Sequence, residues 1–138
     1  MRKLAIEELN RISIEEFKSV RKIPVSVILD NVRSLNNIGS IFRTCDAFRI
    51  EKIYLCGITA CPPHKDIHKT ALGATESVDW EYSGDTLKIV RKLKSEAYFI
   101  ISAEQAEGST SLKSIKLLKD KKYAIIFGHE VHGVEQSV

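Results

Sequence analysis

Four runs in this chain, residues 25–30, 52–56, 97–102 and 123–127, are apolar almost throughout and do not alternate with polar residues. A strand with one wet face alternates, whereas a strand covered on both faces reads as a continuous apolar run. Helix-like stretches separate them: residues 37–48, residues 85–94 and a shorter one at 64–70, with a weaker strand candidate at 78–82. Strands of this kind alternating with helices imply an α/β fold, a parallel sheet flanked by helices. Connections are short, as such units require. The exception is residues 104–120, rich in Ser, Lys and Gly, which reads as a loop with one short helix.

The N-terminal part is expected to be a helical extension over residues 1–24, with residues 25–138 as the main domain. Ser13 and Glu16 form a capping-box pair. Leu4, Ile6 and Leu9, then Ile14, Phe17 and Val20, supply small apolar faces, and Pro24 closes the region. At 138 residues the chain has the length of one domain that buries a real core.

Two of the apolar runs lead into turns that carry chemistry. The first ends at Asp30 and leads to Asn37-Ile38-Gly39-Ser40-Ile41-Phe42-Arg43-Thr44; the second ends at Phe127 and leads to Gly128-His129-Glu130-Val131-His132-Gly133. In a parallel sheet both turns fall on the carboxyl edge, where α/β folds bind ligands.

Spacing excludes several chemistries and weakens others. None of the seven glycines forms the G-x-G-x-x-G turn of a dinucleotide site. Gly128 and Gly133 have P-loop spacing, but Val134 and Glu135 stand where Lys and Ser/Thr must meet phosphate and magnesium. His129 and His132 are three apart rather than the four of a zinc-protease helix, and no G-x-S-x-G elbow is present. Cys61, His64 and His68, the histidines at helical i, i+4 spacing, are a weaker metal set, with Pro62-Pro63 intervening and no obvious fourth ligand for a tetrahedral site. Three cysteines with no export signal argue for reduced thiols, with Cys45 and Cys56 as small core residues.

A net charge of +3 permits contact with nucleic acid without demanding it. Lys88, Arg91, Lys92 and Lys94 cluster, as do Lys113, Lys116, Lys119, Lys121 and Lys122; both read first as solvated surfaces. No apolar run nears the ~20 residues of a membrane span, and residues 1–8 lack the apolar core of a signal peptide. The expected location is the cytoplasm.

Leu29-Asp30-Asn31-Val32-Arg33 leading to Asn37–Thr44, Ile67-His68-Lys69-Thr70-Ala71-Leu72-Gly73-Ala74, and Ile126–Gly133 together resemble the SpoU/TrmH branch of the SPOUT superfamily. Its members are S-adenosyl-L-methionine-dependent RNA 2'-O-methyltransferases. The resemblance runs from about Val25 to Val138 and implies an α/β-knot fold, a tRNA or rRNA substrate and, in the intact family member, a homodimer. It implies Arg43, Asn37 and Glu130 as catalytic residues, Gly128, Leu72, Gly73 and Gly133 as cofactor contacts, and no metal.

Arg43 then binds a backbone phosphate and stabilises negative charge on the 2'-oxygen, because a guanidinium is a poor base. The plainer alternatives are an Arg43 ion pair with an acid such as Asp46, Asn37 as a helix N-cap, and Glu130 as a solvated loop acid. The family's third motif, a helix beginning Ser-Leu-Asn, has no counterpart in the five residues after Gly133. The knot-forming segment is thus absent from this chain, which is expected to be an incomplete or inactive form. A non-catalytic RNA-binding relative and a small metal-dependent hydrolase are the competing functions.

Overall fold

The computed structural model describes residues 1–9 and 11–138. Five parallel strands form one sheet: β1 (Ile23–Asp30), β2 (Ile50–Cys56), β3 (Trp80–Ser83), β4 (Tyr98–Ser102) and β5 (Lys122–Phe127), in the order β3-β2-β1-β5-β4. The helices are α1 (Ile14–Ser19), α2 (Leu35–Ala47), α3 (Lys65–Ala71), α4 (Ala74–Ser77) and α5 (Thr86–Ser95). Short 3-10 turns lie at Ile6–Leu9 and Leu112–Ser114.

The core has two halves, one on each face of the sheet. Val27 and Leu29 of β1 pack with Phe42 of α2, Ile67 of α3 and Phe17 of α1. Ile28, between them in sequence, points the other way and packs with Val90 and Leu93 of α5. The strand period of two produces this split, so a central strand must be apolar on both faces. Each fully buried Leu or Ile contributes about 2 kcal/mol against the entropy of ordering the chain.

Coverage on both faces does not extend to the whole sheet. Phe99 of β4 and Phe127 of β5 remain 50% and 38% exposed. The register aligns Phe99 with Tyr123, and Phe127 with Leu29, so both lie on the α2 side. There α2 and its neighbours reach only β1, β2 and β3, which corrects the expectation of strands covered on both faces throughout.

Local departures from the expected elements have simple causes. Pro24 lies inside β1 rather than closing the preceding region, near the strand start where the pairing with β2 skips from Ile23 to Ser26; a residue without an N–H is tolerated there. Helix α2 starts two residues early because the Ser34 hydroxyl caps it, accepting from Asn37 N. The expected Ser13 cap is present, its hydroxyl accepting from Glu16 N. Of the apolar positions expected in residues 1–20, Phe17 is buried and Leu4, Leu9 and Ile14 are exposed. The Ile6 side chain lies outside the described residues. Residues 104–120 hold only the Leu112–Ser114 turn. Cys45 and Cys56 are buried free thiols, each pushed up to about 12 first of all by burial.

Candidate functional site

The strand order places a crevice at the carboxyl ends of β1 and β5. The chain leaves β1 toward β2 on one side, while β5 enters on the other, so the loops after the two strands diverge. Three side chains stitch the β1 end into place. The Thr59 hydroxyl accepts from Val32 N and donates to the Leu29 carbonyl, both at 3.0 Å. Asn31 has a positive φ of 55°, and its Oδ1 accepts from Ile58 N. Asp30, wholly buried, accepts from the Thr86 hydroxyl at 2.5 Å and from Glu135 N at 2.9 Å.

Glu130 closes the crevice. Its carboxylate accepts from Arg33 N at 3.1 Å, Ser34 N at 2.9 Å and Asn37 Nδ2 at 3.3 Å, from residues 93 to 97 positions away. These donors sit at the amino end of α2, where unpaired N–H groups and the helix dipole favour an anion. Burial acts to raise the Glu130 pKa, but the hydrogen bonds from Ser34, from its own N–H, from Arg33 and from Asn37 outweigh it and bring it down to about 2. Glu130 is therefore an acceptor that joins two motifs while its side chain stays exposed to water. Asn37 is not the N-cap; Ser34 is. With its Nδ2 donating to the Glu130 carboxylate, the exposed Asn37 keeps its carbonyl Oδ1 without a donor among the described residues.

The turn after β5 is closed by its own backbone. His129 N donates to the Gly133 carbonyl and Gly133 N to the His129 carbonyl. A side chain on Gly128 would collide with the Gly133–Val134 backbone, so the glycine admits the chain itself. Glu104 accepts from Val134 N and lies against Gly133. Glu104 and Asp30 thus hold consecutive amides of this loop, roles that the sequence reading did not assign. Asp30 carried a signal, a carboxylate ending an apolar run; Glu104 carried none.

The structure sorts the seven expected site residues into separate places. Asn37, Gly128 and Glu130 line one cleft of about 310 Å³ beside Ser40, Ile41 and Thr44. Arg43, Leu72 and Gly73 line a different cavity of about 630 Å³, against the segment before α1 and the α3–α4 joint. Gly133 closes the β5 turn. The reason is helical phase: at 100° per residue, Arg43 lies six positions and about 120° around α2 from Asn37. Among the described residues Arg43 has no carboxylate within 4.0 Å, and Asp46 instead accepts from the Ser77 hydroxyl at 2.5 Å. Gly39, between Asn37 and Arg43, serves packing: a side chain there would strike the Thr70 hydroxyl and the Ile67 carbonyl of α3.

Among the described residues no group of three His, Cys, Asp or Glu side chains could hold a metal. His64 Nδ1 accepts from Asp66 N as the cap of α3, and His129 Nδ1 accepts from Val131 N and His132 N. No helix among them is long and apolar enough to cross a membrane.

Residues 24–138 match the model of the SpoU rRNA Methylase family. The tRNA (guanosine(18)-2'-O)-methyltransferase of Thermus thermophilus is 26% identical over 129 residues, covering 94% of this chain and 64% of that protein. The fold is similar to that of an AdoMet-bound rRNA methyltransferase from Sinorhizobium meliloti, with a TM-score of 0.76 and 24% identity, covering 88% of this chain and 46% of the other. It is similar also to a TrmH/SpoU tRNA modifying enzyme from A. aeolicus, with a TM-score of 0.74 and 21% identity, covering 89% and 61%. The chain spans 49% to 64% of the length of the first curated relatives it matches. With a parallel sheet in this order, a carboxylate joining the loops of β1 and β5, and a family match across five-sixths of its length, the chain belongs to the SpoU rRNA methylase family.

Proposed function

We propose that the protein to which this chain belongs methylates a ribose 2'-hydroxyl in tRNA or rRNA, acting as a homodimer in the cytoplasm, with S-adenosyl-L-methionine supplying the methyl group. The observation that carries this reading is the Glu130 carboxylate on Arg33 N, Ser34 N and Asn37 Nδ2, which couples the two family motifs into one crevice. Arg43, exposed and free of a carboxylate among the described residues, holds a backbone phosphate and offsets negative charge as it develops on the 2'-oxygen. Asn37 Oδ1, left without a donor among the described residues, accepts a hydrogen bond from the ribose. The half-covered β4–β5 face, with Phe99 and Phe127 exposed, supports association with a second copy.

The residues named for the cofactor do not form one seat in this chain. Leu72 and Gly73 lie in the Arg43 cavity, Gly128 lies in the Asn37 cleft, and the space beside Gly128 is filled by Gly133. That division also favours the second reading, a relative that binds RNA without transferring a methyl group.

The test compares the 138-residue chain with the protein translated from its full reading frame. The full protein is expected to transfer label from S-adenosyl-L-methionine to ribose in tRNA or rRNA. Arg43→Ala is expected to slow transfer by about 10²- to 10³-fold with little change in cofactor affinity. Near-parental transfer by that variant would remove Arg43 from the reaction, and RNA binding without transfer by the full protein would establish the second reading. The chain alone is expected to bind the cofactor weakly or not at all in calorimetric titration, and tight binding would show that its residues form one cofactor seat.

A further inference from the structure

The cavity that holds Arg43 is bordered by two further arginines from separate parts of the chain. Arg11 lies in the segment before α1, and Arg49, with a φ of 52°, lies in the turn between α2 and β2. Across the chain's described residues, none of the three guanidiniums has a carboxylate oxygen within 4.0 Å, and none donates a side-chain hydrogen bond. Asp46, which accepts from the Ser77 hydroxyl, and Glu76 also border the cavity, so its lining carries three cations against two carboxylates and a net charge of +1. None of the three guanidiniums is neutralised by direct contact with a carboxylate, and the excess positive charge of the lining favours an anion.

The size and lining indicate which anion. At about 630 Å³ the cavity suits a nucleotide-sized group rather than one inorganic ion. Its wall includes Leu72, which is 62% exposed, and Ile12 and Ile14 of the N-terminal segment, apolar surface against which a ribose or base can lie. Charge spaced along three arginines, with apolar surface between them, fits a polynucleotide backbone.

We propose that Arg11 and Arg49 bind RNA phosphates adjoining the nucleotide held by Arg43, so that the segment before α1 is one wall of the RNA-binding groove. This rests on the reading that the protein acts on RNA. It adds two phosphate contacts that lie outside the family motifs, and it gives residues 11–17 a function in substrate binding.

The experiment titrates the 138-residue chain with a fluorescently labelled tRNA transcript between 50 and 200 mM KCl. Arg11→Gln and Arg49→Gln, singly and together, are compared with Arg91→Gln on α5, which removes the same charge from the opposite side of the sheet. Far-ultraviolet circular dichroism checks that each variant is folded. Each cavity substitution is expected to lower the slope of log K against log[salt] by about 0.7–0.9, and the pair by about twice that. Arg91→Gln is expected to change the slope by less than half as much as either single cavity variant. Equal losses from Arg91→Gln and the cavity variants, or an unchanged slope in the double variant, would overturn the inference while leaving the RNA reading intact. Failure of the unsubstituted chain to bind tRNA would overturn the inference, while the reading of the full protein is tested separately by its own methyl transfer.

Discussion

Replacing Glu130 with glutamine preserves the size of the side chain but removes its charge and one of its two acceptor oxygens. Oε1 serves Ser34 N and Asn37 Nδ2, and Oε2 serves Arg33 N, so the new amide nitrogen must face a donor whichever way it turns. A pKa lowered from 4.5 to about 2 corresponds to about 3 kcal/mol by linkage. The side chain is largely in water, and screening reduces this to about 1–1.5 kcal/mol. For a chain of this length that is a fall in Tm of about 3–5 °C.

The pH dependence separates charge from packing. Because folding lowers this pKa, the stabilisation is complete above about pH 4.5 and disappears as pH falls toward 2. Thermal melts of both proteins at pH 7, 4, 3 and 2 are expected to show a gap that is full at pH 7 and closes near pH 2. Other carboxylates titrate in both proteins and cancel in the difference. A zero gap at pH 7, or one that persists undiminished at pH 2, would refute the assignment of the clamp to an ionised Glu130.

Two further outcomes test the frame around the site. Gly39→Ala forces α2 away from Thr70 and the Ile67 carbonyl and is expected to destabilise the protein by about 1–3 kcal/mol, read from the urea midpoint at constant slope. Asp30→Asn sets its amide nitrogen either against Glu135 N or against Asn31 Nδ2, which shares the other oxygen with the Thr86 hydroxyl, at an expected cost of about 1–3 kcal/mol. Hydrogen exchange should quicken at Glu135 in that variant, and unchanged protection there would show that Asp30 does not hold the loop.

Much of the frame follows from local rules. The continuous apolar runs dictated a parallel sheet, and the Ser13 capping pair and the amphipathic stretches placed helices to within two residues or so. The motif residues identified the family because their types and spacing are local properties of the chain. Helical phase, also local, already separates Asn37 from Arg43 around α2.

What faces each of them is not local. Glu130 finds Ser34 across 96 positions, Asp30 finds Glu135 across 105, and the uncovered β4–β5 face follows from which strands the helices of one layer reach. Periodicity reports how much of a side chain is covered, but not by what. The sequence alone therefore determined the elements, their parallel arrangement and the family. Only the tertiary packing decided that Glu130 is a clamp and that Arg43 shares its cavity with Arg11 and Arg49, because those contacts arise from the order 3-2-1-5-4 and no run of neighbouring residues encodes it.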